Sequence, residues 1–390
     1  MKKILSLAQN INIEMENDIK EIMNPSKVFL PIDETATLKI KSKTVLKGEL
    51  LYTYLQKDFY SPVSGYIKNI VKRKDYALKE VSFMQIQNDY QELSNYKGVD
   101  GTTTIISPNL KGQILNYKEY DFRKLQNKKM LYVNGLEDEP LIFNKQKLHE
   151  NYANEILLMI DLLCDALNIE SSCLLLKETD YKSILSFEKN ISTYPNVSLF
   201  YAKDEYPIED EKNVKKYLNW TDNCVMLSTD KIYDVYYEIV RVAAEIVKGK
   251  QKDFTFVTIL GDAISKSFVC RAKVGTYLKE IIDNTKILQD KDCDILVNGL
   301  MKGTEAKLEN IYLTLDVKAV FFMKKKKEKM RECINCGKCN EVCPLKCRVY
   351  ECVKTKGRIK PLNCDNCGLC TFICPSHIDI SKYLSKEEQA

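Results

Sequence analysis

Between residues 144 and 248, apolar positions recur at helical spacing and then gather into short continuous runs. Ile156, Leu157, Ile160, Leu163, Cys164 and Leu167 fall on one face of a helix. The run Cys173-Leu174-Leu175-Leu176 and the segments 197–201 and 224–227 read as strands. Ser228-Thr229-Asp230 then starts a second helix, with Ile232, Val235, Tyr236, Ile239 and Ala243 as its buried stripe. Alternation of this kind predicts a mostly parallel sheet covered by helices. Ahead of it, Lys27-Val28-Phe29-Leu30 and Tyr66-Ile67-Lys68-Asn69-Ile70-Val71 are strand-like. Turn signals at Lys47-Gly48 and across 61–65 make residues 27–90 a small all-β unit.

Composition narrows the picture. A chain of 390 residues has room for about two to four domains. Hydrophobic residues at 45% and charged ones at 29% exclude wholesale disorder and fibrous repeats. The longest apolar stretch, 156–167, is broken by Asp161 and Asp165, too short and too charged for a membrane span. Met1-Lys2-Lys3-Ile4-Leu5 resembles the start of an export signal, but its apolar run ends at Ala8-Gln9-Asn10. The expected location is the cytoplasm, or the inner face of the cell membrane as a peripheral subunit. Only two histidines exist, His149 and His377, which leaves no Ser/His/Asp set to name. Glycine is scarce, and no two glycines lie closer than Gly98 and Gly101, so neither G-x-G-x-x-G nor a P-loop is present.

Cysteine placement carries the chemistry. Ten of fifteen lie between Cys333 and Cys374, and they contain a repeat. Cys333-x2-Cys336-x2-Cys339-x3-Cys343-Pro344 recurs as Cys364-x2-Cys367-x2-Cys370-x3-Cys374-Pro375. Three thiolates at every third residue can wrap one four-iron cluster, while the fourth, followed by proline, points to the other cluster. The spacing therefore assigns Cys333, Cys336, Cys339 and Cys374 to a first 4Fe-4S site. Cys364, Cys367, Cys370 and Cys343 form the second. Gly337 and Gly368 hold matching places where the backbone must turn sharply. Structural zinc is the plainer alternative, though it favours paired C-x2-C units over triples. Cys347 and Cys352 are left over, as spare thiols or as replacements for a lost ligand. Four of the five remaining cysteines have apolar neighbours and read as small hydrophobes. Residues 324–390 carry a formal +7 against +5 for the whole chain. The run from Lys324 to Lys327 is either a solvated linker or a patch that steers an acidic redox partner. It lacks interleaved aromatics, which argues against nucleic acid.

Several separated segments, in order, resemble the RnfC family, the iron–sulfur subunit of ion-pumping ferredoxin:NAD oxidoreductases. They are Val45-Leu46-Lys47-Gly48-Glu49-Leu50 with Ser61-Pro62-Val63-Ser64-Gly65-Tyr66-Ile67, then Asn134-Gly135-Leu136-Glu137-Asp138-Glu139-Pro140, then Val257-Thr258-Ile259-Leu260-Gly261-Asp262-Ala263-Ile264 with Val274-Gly275-Thr276, and finally Cys374-Pro375-Ser376-His377-Ile378. The resemblance implies a multidomain α/β and α+β chain. Its parts would be a barrel-sandwich (lipoyl-like) module at 27–90, a Rossmann-like α/β domain at 100–250, a β-grasp module at 252–285 and a ferredoxin-like domain at 324–382. It also implies Glu137 and Glu139 as flavin or nucleotide contacts, although an acidic turn before a proline is more often a solvated loop. The stretch 101–112, where the family holds FMN and nicotinamide on a glycine-rich loop, has no glycine pair, so the glycine census predicts neither FMN nor NADH. The expected function is electron transfer through two 4Fe-4S clusters, with a redox donor and acceptor as partners. The acceptor side would be membrane-embedded Rnf-like subunits or a reductase. The alternatives are a soluble RnfC-like carrier, such as the one associated with proline reductase, and a self-contained NADH/FMN-dependent oxidoreductase.

Overall fold

The computed structural model describes residues 15–94, 109–117, 119–209, 211–218, 220–241, 252–325 and 330–384. The first residues weighed as an export signal, most of the stretch 101–112, Ala243, Lys326 and Lys327 lie outside the described residues. The fold is mixed α/β, with four sheets.

Four parallel strands stand in the order Val197–Ala202, Ser171–Lys177, Met130–Asn134, Cys224–Ser228. Three of them coincide with the runs expected from sequence. The fourth, Met130–Asn134, sits centrally and pairs on both sides, Val133 standing opposite Leu174 and Leu227. Sequence reading missed it because two lysines precede it and its end merges with Asn134-Gly135, which reads as a turn. The helix Asn144–Leu167 buries Ile156, Leu157, Ile160, Leu163, Cys164 and Leu167 on the sheet, as their spacing requires. It stops where Asn168 turns left-handed. Ser228 caps the helix Thr229–Val235 by accepting from the Lys231 N–H, and the helix continues as a wider π-turn across Tyr236–Arg241. The chain leaves Met130–Asn134 toward Ser171–Lys177 on one side, while Cys224–Ser228 lies on the other. A crevice therefore opens beyond the carboxyl ends of these strands, the usual place for a ligand in such sheets.

Residues 27–88 contain strands and no helix. Four strands of this region, joined at one edge by Thr276–Tyr277 and Tyr312–Leu313, make a six-stranded sheet that faces a three-stranded one, and Val28, Leu30, Val45, Leu51, Met84 and Ile86 fill the space between. Gly65 is obligatory here, because at φ +152° any Cβ would lie 1.9 Å from the Gln87 carbonyl oxygen.

The third large sheet runs Lys20–Ile22, Phe268–Lys273, Phe254–Leu260, Ala319–Lys324, Cys293–Val297, Thr304–Ala306. It continues well past residue 285, where the resemblance ended the module, because the apolar strand Ala319–Lys324 inserts beside Phe254–Leu260. The lysine run thus begins inside a strand. The Lys324 N–H donates to Asp262 (2.7 Å) and the Lys325 ammonium meets Asp292 (2.5 Å), so these two are not part of a free linker. The carboxy-terminal region is four short helices, Lys338–Glu341, Val349–Lys354, Leu369–Ile373 and Ser381–Leu384, around Val349, Cys352, Val353, Ile380 and Leu384. No helix among the described residues is long and apolar enough to cross a membrane.

Candidate metal centre

The sequence repeat is also a repeat of backbone conformation. Asn335 and Gly337 have positive φ (60° and 77°), and so do Asn366 and Gly368 (49° and 81°). Each glycine then opens a short helix, Lys338–Glu341 or Leu369–Ile373. Three residues beyond the last cysteine of each run, Lys346 and His377 are again left-handed, and their N–H groups donate to the carbonyls of Cys343 and Cys374 (both 3.1 Å). The glycines were legible in the sequence. The asparagines could have been, since Asn tolerates this conformation better than most residues. Lys346 and His377 gave no such signal.

These turns gather the thiols. Cys333, Cys336, Cys339 and Cys374 line one small hollow, closed by Tyr350, Val353, Ile378 and Ile380. The fourth cysteine thus comes from the opposite run. Cys343 likewise approaches Cys364 and Cys367, and Cys370 lies beside both of these. Burial is the main cause that pushes the thiols of Cys364, Cys367 and Cys370 up, Cys370 to about 12, and neighbouring sulfurs add to it. A protonated thiol is not a ligand, so a bound cation is what compensates a nest of half-buried thiolates. Backbone N–H groups already point at sulfur, Cys347 to the Cys343 Sγ (3.3 Å) and Asn366 to the Cys364 Sγ (3.4 Å). Such bonds favour the more negative, reduced state of an iron–sulfur cluster. No group of three or more His, Cys, Asp or Glu side chains among the described residues closes on a single metal ion, and the chemistry of this thiol set fits iron–sulfur ligation. The two leftover cysteines are buried and directed at carbonyls, Cys347 at Leu362 (3.6 Å) and Cys352 at Tyr383 (3.4 Å).

The second thiol set rests on the body of the protein. The Tyr206 hydroxyl donates to the Cys367 carbonyl (2.7 Å), and Lys212 meets Asp365 (3.5 Å). The Cα of Gly368 approaches the Met301 carbonyl so closely that a Cβ would lie 2.2 Å from its oxygen. The first set lies away from this contact, with Cys336 exposed.

The acidic turn 137–139 is exposed at Asp138, but its two glutamates are engaged by the fold. Glu139 is buried and accepts from the N–H groups of Met301 (3.0 Å) and Lys302 (2.8 Å). Glu137 accepts from the Gln146 N–H at the start of the long helix (2.9 Å), and burial pushes its carboxyl up to about 8 against the pull of Lys145. Glu137, Asp138, Asp230 and Asp234 line the crevice at the strand ends together with Lys145, Lys252 and Lys318. His149 stays in the core between the hydroxyls of Ser183 (2.9 Å) and Thr229 (3.0 Å), and burial lowers its pKa to about 4.

A family model described as the Nuo51 FMN-binding domain matches residues 116–223. The RnfC protein of the ion-translocating oxidoreductase complex of Buchnera aphidicola is 26% identical over 93% of this chain and 84% of its own length. The resemblance to the RnfC family holds over nearly the whole chain. The corresponding protein of the Na+-translocating ferredoxin:NAD+ oxidoreductase complex of Acetobacterium woodii is 19% identical over 55% of this chain and 49% of its own. An RnfC counterpart from Rhodobacter capsulatus is 22% identical over 57% and 44%. The chain therefore spans less than half the length of those two relatives. Among solved structures, an NAD+-reducing NiFe hydrogenase in its H2-reduced state superposes with a TM-score of 0.43 at 12% identity, over 53% of this chain and 43% of that one.

Proposed function

We propose that this RnfC-like chain is an electron-transfer subunit that holds two 4Fe-4S clusters in its carboxy-terminal region and works within a larger redox complex. One observation carries the reading: cysteines from both halves of the repeat line a single hollow, Cys374 joining Cys333, Cys336 and Cys339. A tetrahedral zinc site draws its four ligands to one point, whereas a cubane needs them spread around a void. Bound there, each cluster supplies one-electron redox chemistry. The chain's own residues do the rest. Eight thiolates ligate, the left-handed Asn and Gly residues bend the loops, and the Cys347 and Asn366 N–H groups polarise sulfur. Tyr206 and Met301 hold the second site against the body, and the first site faces outward. The surrounding units are best read as a barrel-sandwich module, a Rossmann-like domain and a β-grasp module, supported by the all-strand region, the parallel sheet and the mixed sheet in that order. The partners are then a redox donor and an acceptor, by likeness to subunits of the ion-translocating complexes.

Iron and sulfide analysis of protein purified without oxygen should give about eight of each per chain, as two four-iron sites require. Dithionite should then produce a paramagnetic signal. A protein that carries zinc and no iron would overturn the proposal.

A second reading, an enzyme that takes electrons from NADH through FMN, would use the crevice at the strand ends, and the match of residues 116–223 to the Nuo51 FMN-binding domain favours it. Both carboxylate oxygens of Glu139 are taken by the Met301 loop, and the crevice pairs four carboxylates with three lysines, not the cationic surplus that suits a phosphate. Titration with FMN, and cluster bleaching by NADH alone, decide between the two.

A further inference from the structure

We infer that the exposed ridge from Lys354 to Leu362 is a docking surface for an acidic one-electron carrier protein, which exchanges electrons with the second cysteine site there. The inference rests on the cluster reading above and adds the partner and its place.

The ridge joins three properties. Lys354, Lys356, Arg358 and Lys360 place four cations within seven residues, with no acid between them. The acids nearest in the chain are engaged elsewhere, Glu351 with Arg348 (3.3 Å) and Asp365 with Lys212 (3.5 Å). Among these cations stand two large apolar side chains, Ile359 at 55% exposure and Leu362 at 87%, the most exposed large hydrophobic residue described. An apolar centre ringed by charge of one sign is what a transient electron-transfer contact needs: charge steers the encounter, and a small dry patch lets the complex form and part.

The third property is position. The Leu362 carbonyl accepts from the Cys347 thiol (3.6 Å), and the Cys347 N–H donates to the Cys343 Sγ (3.3 Å). Two hydrogen bonds thus join the most exposed apolar residue of the ridge to a sulfur of the second site. A partner seated on Leu362 is close to that site without any rearrangement. A lipid surface would use the charge but not this connection, so the observations favour a protein. Its surface must be acidic, because the ridge and the domain around it are basic. In the exchange one electron leaves the reduced carrier and enters the second site; no bond forms, and no proton needs to move.

The test uses holoprotein prepared without oxygen and an acidic two-iron ferredoxin as the probe. Calorimetric titration measures binding, and stopped-flow mixing with the reduced ferredoxin measures the second-order rate. The double change K356E with R358E, both at exposed positions, should weaken binding and slow transfer by about tenfold or more at low salt. The difference should fade near ~1 M salt, where screening acts within ~3 Å. Leu362→Ala should weaken the complex and leave its salt dependence unchanged. Unchanged affinity and rate in both variants would overturn the inference. So would a charge reversal that abolishes binding to phosphatidylglycerol vesicles and spares ferredoxin, because the ridge would then face lipid. Iron analysis of the same samples separates the two readings. Ferredoxin binding through the ridge by a chain without iron would keep the docking surface and remove the cluster reading, whereas iron-replete protein indifferent to the ridge would do the reverse.

Discussion

Glu139 reaches across the fold to Met301, whose N–H it accepts at 3.0 Å, and takes the adjacent Lys302 N–H at 2.8 Å. The same Met301 presents its carbonyl to Gly368, beside Cys367. One carboxylate on the strand-end loop of the parallel sheet therefore fixes the loop on which the second cysteine site rests. Bonds of this kind to a charged acceptor contribute about 1.5–3 kcal/mol each, and a buried N–H left without an acceptor costs about 1–3 kcal/mol. Glu139→Ala should lower the melting temperature by several degrees and broaden the paramagnetic signal of the second site, with the first unaffected. Glu139→Gln keeps one acceptor oxygen and should lose less. Thermal melts and low-temperature resonance spectra on the same samples check both parts.

Gly337 and Gly368 occupy equivalent places in the repeat, yet their surroundings differ. Both are left-handed, so alanine at either costs about 1–2 kcal/mol of backbone strain. Nothing lies within 4 Å of a Cβ added at Gly337, whereas one added at Gly368 would lie 2.2 Å from the Met301 carbonyl oxygen. Gly368→Ala should therefore be clearly more damaging than Gly337→Ala, both in melting temperature and in iron retained after gel filtration. Equal losses would mean that the second site does not rest on the Met301 loop.

The two kinds of legibility in this chain have separate physical origins. Periodicity exposed the helix Asn144–Leu167 and three strands of the parallel sheet because their burial is one-sided or complete along a continuous stretch. Met130–Asn134 escaped because lysines and an Asn-Gly pair flank five residues. Covalent spacing exposed the eight candidate ligands, since a cluster imposes its dimensions on a short loop. Glu139 escaped for the opposite reason: its acceptor role is defined by backbone groups 162 residues away, and no local pattern marks such a partner. The ridge at 354–362 was readable as charge, but its connection to Cys343 through Cys347 exists only in the folded chain.

Two buried groups give the parallel-sheet domain opposite responses to pH. Glu137 has its pKa raised from the ordinary carboxylate value of 4.5 to about 8, mainly by burial. The fold holds that proton more tightly than the unfolded chain, so its contribution is complete below 4.5 and is lost as pH rises to 8. His149 is lowered from 6.5 to about 4, again mainly by burial. Its contribution is complete above 6.5 and is lost as pH falls through 4. Stability should decline on both sides of a mildly acidic optimum, at up to about 1.4 kcal/mol per pH unit for each group. Glu137→Gln should flatten the alkaline side, and His149→Gln the acidic side, though with a lower overall stability from the lost hydroxyl contacts. Urea midpoints followed by the fluorescence of Trp220, the single tryptophan, measure this; it lies beside Tyr132 of the central strand.

The crossing of the fourth ligands can be tested by substitutions that leave each cysteine triple intact. Cys374 follows the second run but lines the hollow of the first, with Cys333, Cys336 and Cys339. Cys374→Ser should therefore damage the site built on the first run, and Cys343→Ser the site built on the second. Each variant should keep about half of the iron, the remaining four atoms giving an unaltered spectrum. The two residual spectra should differ from each other and together account for that of the unsubstituted protein. If Cys374→Ser instead removes the same spectral component as Cys364→Ser, each run closes on its own fourth cysteine. The hollow shared by both halves of the repeat would then have no role in ligation.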